Sequence, residues 1–301
     1  MKGLANLGNT CYLNVALQCL VHTPGLTNYV LSGWADKDSF KKRINACSFA
    51  TEYASLTKAY WAAADPAVLD TRGAWTSLSK VHKAFANSLP HDAHEAVLAV
   101  IKHLHEAWAR TPRITPSIAE EQVVKEAWEA FIGKEGYSLV TELFVGQLEK
   151  TVEAGEYRSK TYEHFFGLSL DLDGCSSVGQ ALHKHLAPEE VEEYRVGDRV
   201  TSATLTKHLV YCPLALVIHL KRFDGTGAKV DRFVDYSTAL VVPGQGTYEL
   251  YGVCFHQGGH YVAACEAGGA WRALDDDKVT QLEVNNVVHR DAYVLFYKKR
   301  L

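Results

Sequence analysis

The chain has 301 residues, 47% of them hydrophobic and 22% charged, with a formal net charge of −4. That is an ordinary globular composition with room for a large core in one or two domains, and so slight an acidity offers no basic face for nucleic acid. No run of about 18 apolar residues predicts a transmembrane helix, and no basic segment followed by an apolar one marks a secretory signal at the N-terminus, so neither nucleic acid nor a membrane is expected as a partner.

Seven cysteines (Cys11, Cys19, Cys47, Cys175, Cys212, Cys254 and Cys265) are odd in number and scattered, with no C-x-x-C pair. This spacing argues against a disulfide scaffold and against a clustered cysteine zinc site. A reducing compartment follows, the cytoplasm or nucleus.

In chain order, "GLANLGNTCYLNVALQCL" opens at Gly3 with a turn-forming segment, then Cys11, then Leu13, Leu17, Leu20 and Val21 on a helical stripe over 12–23. Helical spacing recurs over 40–64, 74–88 and 91–108, the last with Val97, Ile101, Leu104 and Trp108 on one face. Two prolines interrupt at 111–117, and "SIAE" (117–120) resembles a capping box that opens a helix to about Gly133. From Ser138 the runs become β-branched and aromatic: "SLVTELFVGQLEKTV", "YEHFFGLSLDL" and "LALVIHLKRF" predict strands, with one amphipathic helix at about 176–193. The last sixty residues predict a meander, "TALVVP", "TYELYGVCFHQ", "HYVAACEA", "AWRAL" and "AYVLFYKK". The fold class is therefore α+β, helices first and antiparallel sheet after.

Cys11 stands at a helix entrance, where partial positive charge favours a thiolate. Taken alone it reads at least as well as a small packing residue, the commoner fate of a free cysteine. His260, in "HQGGHYVAAC", follows a Gly-Gly pair that lets a substrate backbone pass close to the imidazole. "WRALDDDKV" sets Asp275, Asp276 and Asp277 in the turn after the next strand, within reach of His260 across an antiparallel pair. A solvated acidic turn is the plainer reading of that run.

The segment "GLANLGNTCYLNVALQCL" resembles the cysteine box of the ubiquitin-specific protease family of deubiquitinases, and "GGHYVAAC…WRALDDDKV…AYVLFYKKR" resembles its histidine box. "PHDAHEAVLAVI" is similar to the family's Gln-Gln-Asp-Ala-x-Glu-Phe helix, and "LALVIHLKRF" to its Leu-x-Leu-Lys-Arg-Phe strand. The four matches stand in order from residue 3 to residue 300. The resemblance implies a papain-like cysteine protease fold in one catalytic domain, with a helical thumb over about 1–135, β fingers over about 138–215 and a palm over about 216–301.

It also implies roles. Cys11 would attack the carbonyl of ubiquitin's last glycine, His260 would serve as base and then acid, and Asp275 would orient His260. Asp276 would support or share that role, and Asn6 would donate its amide to the oxyanion. Asp92 and Glu95 would hold the extended ubiquitin tail, and Gly258 and Gly259 would roof a channel narrow enough for its two glycines. The implied partner is ubiquitin or a ubiquitinated protein, with a ubiquitin-like modifier, an inactive ubiquitin-binding member and a papain-like endopeptidase as alternatives. No cofactor is implied. Many members bind zinc through two C-x-x-C pairs in the fingers; those positions here are Val152, Gly155, Val196 and Arg199, which cannot ligate it, so no metal is expected. Pro90 and His91 replace the family's Gln-Gln, and Ala96 its Phe.

Overall fold

A computed structural model of the chain describes residues 1–38, 44–63, 66–110, 121–223 and 229–300. The N-terminal part is helical: α1 (Cys11–Val21), α2 (Pro24–Leu31), α3 (Trp34–Asp38), α4 (Ile44–Trp61), α5 (Arg72–Val81), α6 (Ala93–Trp108) and α7 (Gln122–Glu135). Two short strands, β1 (Gly3–Leu4) and β2 (Val68–Leu69), pair in parallel beside them. The proline break and the "SIAE" capping box fall on 111–120, outside the described residues; the helix that follows begins after Glu121.

Two segments depart from expectation. The stretch 138–144 forms a short helix, α8 (Leu139–Phe144), instead of the start of a strand. Ser138 and Thr141 cap each other reciprocally, and Val140, Thr141, Leu143 and Phe144 are buried, a helical and not an alternating pattern. The amphipathic helix expected over 176–193 stops early, as α9 (Val178–Leu186). Ala187 precedes Pro188 and is driven to extended backbone (ψ 150°), which ends the helix. The acidic run beyond it is strand.

The strands are β3 (Gly146–Ala154), β4 (Tyr157–Phe165), β5 (Leu168–Asp171), β6 (Glu189–Val196), β7 (Arg199–Tyr211), β8 (Ala215–Lys221), β9 (Ala239–Val242), β10 (Gly246–Gln257), β11 (His260–Ala267), β12 (Ala270–Asp275), β13 (Lys278–Leu282) and β14 (Ala292–Lys299). A four-stranded antiparallel sheet runs β4-β3-β7-β6. The larger sheet runs β13-β12-β11-β10-β14-β8-β5 with β9 on β10, and only its β5–β8 pair is parallel. The stretch 138–215 assigned to fingers is thus divided. α8 packs on α6 and α2, and β5 joins the large sheet with α9 against it.

All eleven residues of α1 are buried, the polar Asn14 and Gln18 among them. It lies between α6 and the face of β10, β11 and β12. Ala263 and Cys265 point to this helical side and Ala264 to the opposite core, where α9 packs. Leu13, Leu17 and Leu20 have no exposed surface. Truncating any of them to alanine carries a cost of about 2–5 kcal/mol. α1 is thereby fixed against the sheet, and Cys11 with it.

Candidate active site

The loop before α1 is organised by one side chain. Asn6 Oδ1 accepts from the Gly8 N–H at 3.0 Å, the Thr10 N–H at 3.2 Å and the Thr10 hydroxyl at 3.3 Å. Gly8 and Asn9 both take positive φ, so the chain reverses and delivers Cys11 to the first position of α1. The amide nitrogens of Cys11 and Tyr12 are therefore free of intrahelical partners, and point at the space in front of the sulfur.

On the sheet, Gln257 pairs with His260 across a two-residue hairpin turn, in which Gly258 (φ 57°) and Gly259 (φ 86°) are both left-handed. A two-residue turn with positive φ at both positions itself favours glycine. The next hairpin pairs Asp275 with Lys278 and leaves Asp276 (φ 51°) and Asp277 in its turn. His260 Nε2 meets Asp275 Oδ1 at 2.7 Å, which leaves Nδ1 for a second partner. Among the described residues, no hydrogen bond or ion pair yet joins His260 to Cys11.

Asp276 does something different from Asp275. It is 9% exposed, and each of its carboxylate oxygens takes an amide: Oδ2 from Asn6 Nδ2 at 2.8 Å, and Oδ1 from Asn14 Nδ2 at 2.7 Å. Its backbone carbonyl accepts the Leu4 N–H at 2.7 Å. At Gly3 a Cβ would lie 2.3 Å from the Asp277 carbonyl oxygen, so only glycine lets β1 approach this turn. Asp276 thus ties the loop that precedes Cys11 to the hairpin that carries Asp275, the partner of His260. Asn14 was not among the candidates drawn from sequence. Its one signal is a polar residue three positions after Cys11 in a helix whose other polar residue is Gln18. His260, Asp275 and Asp276 are also, among the described residues, the one group of donors close enough to share an ion, within 4.8 Å of one another. Those atoms are already engaged with one another and with Asn6 and Asn14.

Burial pushes the Cys11 thiol above its ordinary value of 9.0. The Tyr261 N–H facing the sulfur opposes this, the negative Asp276 adds to it, and the Tyr12 and Cys11 amides lower it by less. A raised thiol is protonated at neutral pH and gains thiolate only as pH climbs. Without ubiquitin, alkylation of Cys11 by iodoacetamide is therefore expected to keep accelerating beyond pH 9.0. A plateau at or below neutral pH would instead reveal a preformed thiolate–imidazolium pair.

Asp92 caps α6: Oδ1 accepts from the His94 and Glu95 amides at 2.7 and 3.2 Å, and Oδ2 accepts from the Tyr293 hydroxyl. Its carboxylate is held by its own helix and by β14. Glu95, one turn along, is exposed. Tyr261 links this region to Cys11, since its backbone amide faces the sulfur while its phenol meets the Ala93 N–H and the Asp92 charge. Tyr261, Tyr293, His256 and Phe223 form a ring-lined wall beside it.

The model of the family described as ubiquitin carboxyl-terminal hydrolase matches residues 2–297. The chain belongs to the ubiquitin carboxyl-terminal hydrolase family. It is 31% identical to mouse ubiquitin carboxyl-terminal hydrolase 17-like protein A over 98% of this chain and 56% of that protein. It is 30% identical to human ubiquitin carboxyl-terminal hydrolase 17-like protein 15 over 98% and 53%. The chain thus spans about half the length of the curated relatives it matches. Among solved structures, it superposes with a TM-score of 0.81 and 24% identity on a chain of the SAGA DUB module Ubp8/Sgf11/Sus1/Sgf73 bound to monoubiquitin, covering 100% of this chain and 69% of that one. The module bound to ubiquitin aldehyde gives 0.79 and 23%, with 100% and 70% covered. These likenesses give the papain-like fold of the ubiquitin-specific proteases.

In this chain the positions of the family's zinc pairs lie at two hairpin ends of the four-stranded sheet. Gly155 (φ 61°) begins the β3–β4 turn, and Val196 pairs with Arg199 around Gly197 (φ 60°). Tight two-residue turns close the strands there, and the rings of Tyr157 and Tyr194 approach to 6.4 Å between them.

Proposed function

We propose that this hydrolase domain is a cysteine deubiquitinase that cleaves the peptide or isopeptide bond after the C-terminal glycine of ubiquitin, through an acyl-enzyme on Cys11. What carries the reading is one arrangement: a cysteine at the N-terminus of a buried helix, its sulfur met by the backbone N–H of Tyr261, the residue after a histidine whose Nε2 is held by a carboxylate at 2.7 Å. His260 Nδ1 takes the Cys11 proton as the sulfur attacks the glycine carbonyl. The developing oxyanion meets the Cys11 N–H and the second hydrogen of the Asn6 amide, whose first is on Asp276. One such donor is typically worth about 3 kcal/mol of barrier. The protonated His260 then gives its proton to the departing amine, and water, activated by the same imidazole, releases ubiquitin.

Substrate entry has to bring His260 to Cys11, since a thiol held above its ordinary value needs a base in contact. In this reading the ubiquitin tail runs past Asp92, the exposed Glu95 and the ring-lined wall to Cys11. Gly258 and Gly259 stand where a side chain would crowd it. The globular body of ubiquitin lies on the large sheet and the four-stranded sheet in an interface of at least standard size, about 1,600 Å².

The test is incubation with ubiquitin carrying a C-terminal electrophile, beside ubiquitin-like probes and a Cys11→Ala control. A ubiquitin adduct that vanishes in Cys11→Ala is expected. An adduct formed only with another modifier reassigns the substrate, and ubiquitin binding with no adduct rejects the catalytic reading.

A further inference from the structure

Away from the candidate active site, three sulfurs meet where α1 crosses the large sheet. Cys19 Sγ lies 3.6 Å from Cys254 Sγ and 3.8 Å from Cys265 Sγ, and all three residues are fully buried. Gly252, opposite Cys265 on the neighbouring strand, lies against the Cys19 sulfur, 3.5 Å from where a Cβ would stand, an ordinary contact.

A base accompanies one of these pairs. His22, 5% exposed, follows Cys19 by three residues and is held by Nδ1 against the Gln18 carbonyl at 2.6 Å. A carbonyl only accepts, so Nδ1 carries the hydrogen and Nε2 is the open nitrogen. Nε2 is buried without a hydrogen bond, and the ring interacts with Cys265. Cys254 has no such neighbour; its thiol donates to the Val15 carbonyl at 3.9 Å. His22 also lines a cavity of about 340 Å³ with Pro24, Thr27, Trp61, Tyr251 and Glu266, ample for a small oxidant.

We propose that Cys19 and Cys265 are a peroxide-oxidisable dithiol whose disulfide joins α1 to β11. Cys265 gives its proton to His22 Nε2, and the thiolate attacks one oxygen of hydrogen peroxide. The S–O bond forms as the O–O bond breaks, and the leaving hydroxide takes the His22 proton to become water. The Cys19 sulfur then displaces hydroxide from the sulfenic acid of Cys265, and that hydroxide leaves as water with the Cys19 proton. Two thiols and one peroxide give one disulfide and two waters. The Cys19 contact and the His22 charge outweigh burial and bring the Cys265 thiol below its ordinary value, while Cys19 is raised, which makes Cys265 the attacking partner. The bond would tie the helix that begins at Cys11 to the strand that begins at His260.

The test needs no ubiquitin chemistry. The full chain carrying Cys11→Ala is treated with hydrogen peroxide, quenched by alkylation and mapped as peptides without reduction, with the half-buried Cys47 as a dose marker. A peptide pair linking Cys19 to Cys265 is expected, released by a thiol reductant and formed roughly tenfold more slowly in a His22→Gln variant. Linkage of Cys19 to Cys254, or all three core thiols still reduced once Cys47 is oxidised, would overturn the proposal. Unchanged oxidation in folded His22→Gln would remove His22 as the base.

Discussion

Asp275→Asn is expected to leave ubiquitin cleavage within about tenfold of the parent enzyme, whereas Asp276→Asn, one residue on, is expected to lose at least roughly a hundredfold in kcat/KM and about 2–3 kcal/mol of stability. The difference lies in what each carboxylate touches. Asp275 gives one oxygen to His260 Nε2, and its side chain is 45% exposed, so an asparagine can present its own oxygen to the same nitrogen. Papain-like proteases work with asparagine in that role. Removing the acceptor altogether is a different change, and Asp275→Ala is expected to cost about two to three orders of magnitude.

Asp276 has no such latitude. Both of its oxygens receive an amide, from Asn6 and from Asn14, in a site almost closed to water. An asparagine there must turn an NH₂ toward one of the two donors, leaving two hydrogens face to face and a buried amide unsatisfied. Steady-state cleavage of a fluorogenic ubiquitin amide, together with urea unfolding, checks both arms. Equal losses at the two positions would show that the carboxylates share one job.

Much of the site was legible in the sequence, because cysteine and histidine boxes are local strings whose turn residues and spacing encode where the side chains go. Register then does the rest: consecutive hairpins across β10, β11 and β12 bring Asp275 back to His260 with no long-range information. Legibility fails where a polar residue's partner comes from far along the chain. Asn14 is 262 positions from Asp276, and nothing around it announces a buried carboxylate. It fails again where two local rules compete. The run 138–144 has strand-like composition, yet the Ser138–Thr141 capping box nucleates a helix. The run 189–196 has helical composition, yet Pro188 cuts it from α9 and pairing with β7 takes it over. β7 has one fully buried residue, Ala203, and is otherwise mostly half-buried, and β13 has none, so no buried–exposed alternation betrays either strand. The glycines before His260 were legible as glycines, but the hairpin turn accounts for them even with no substrate present.

The joint between the two boxes yields a second large effect. Asn14→Ala is expected to destabilise the protein by about 2–4 kcal/mol, more than an exposed asparagine could, because it strands a buried carboxylate oxygen. The same Nδ2 also lies 3.3 and 3.2 Å from the carbonyls of Leu4 and Ala5, so the mutation loosens β1 as well. Asp276→Ala strands the amides of Asn6 and Asn14 in turn. Made together, the two substitutions remove both ends of one interaction, and the double variant should be less damaged than the sum of the singles by about 1.5–3 kcal/mol. Urea unfolding of the four proteins measures that coupling, and additivity within about 0.5 kcal/mol would show that the contact contributes nothing of its own. The catalytic consequence follows from the route of the coupling. Neither Asn14 nor Asp276 is placed to touch the scissile bond, so Asn14→Ala should lower kcat through misplacement of Asn6 and Cys11 while leaving KM for ubiquitin nearly unchanged. A rise in KM at constant kcat would instead assign Asn14 to ubiquitin binding and dissolve the link drawn between the acidic turn and the nucleophile's loop.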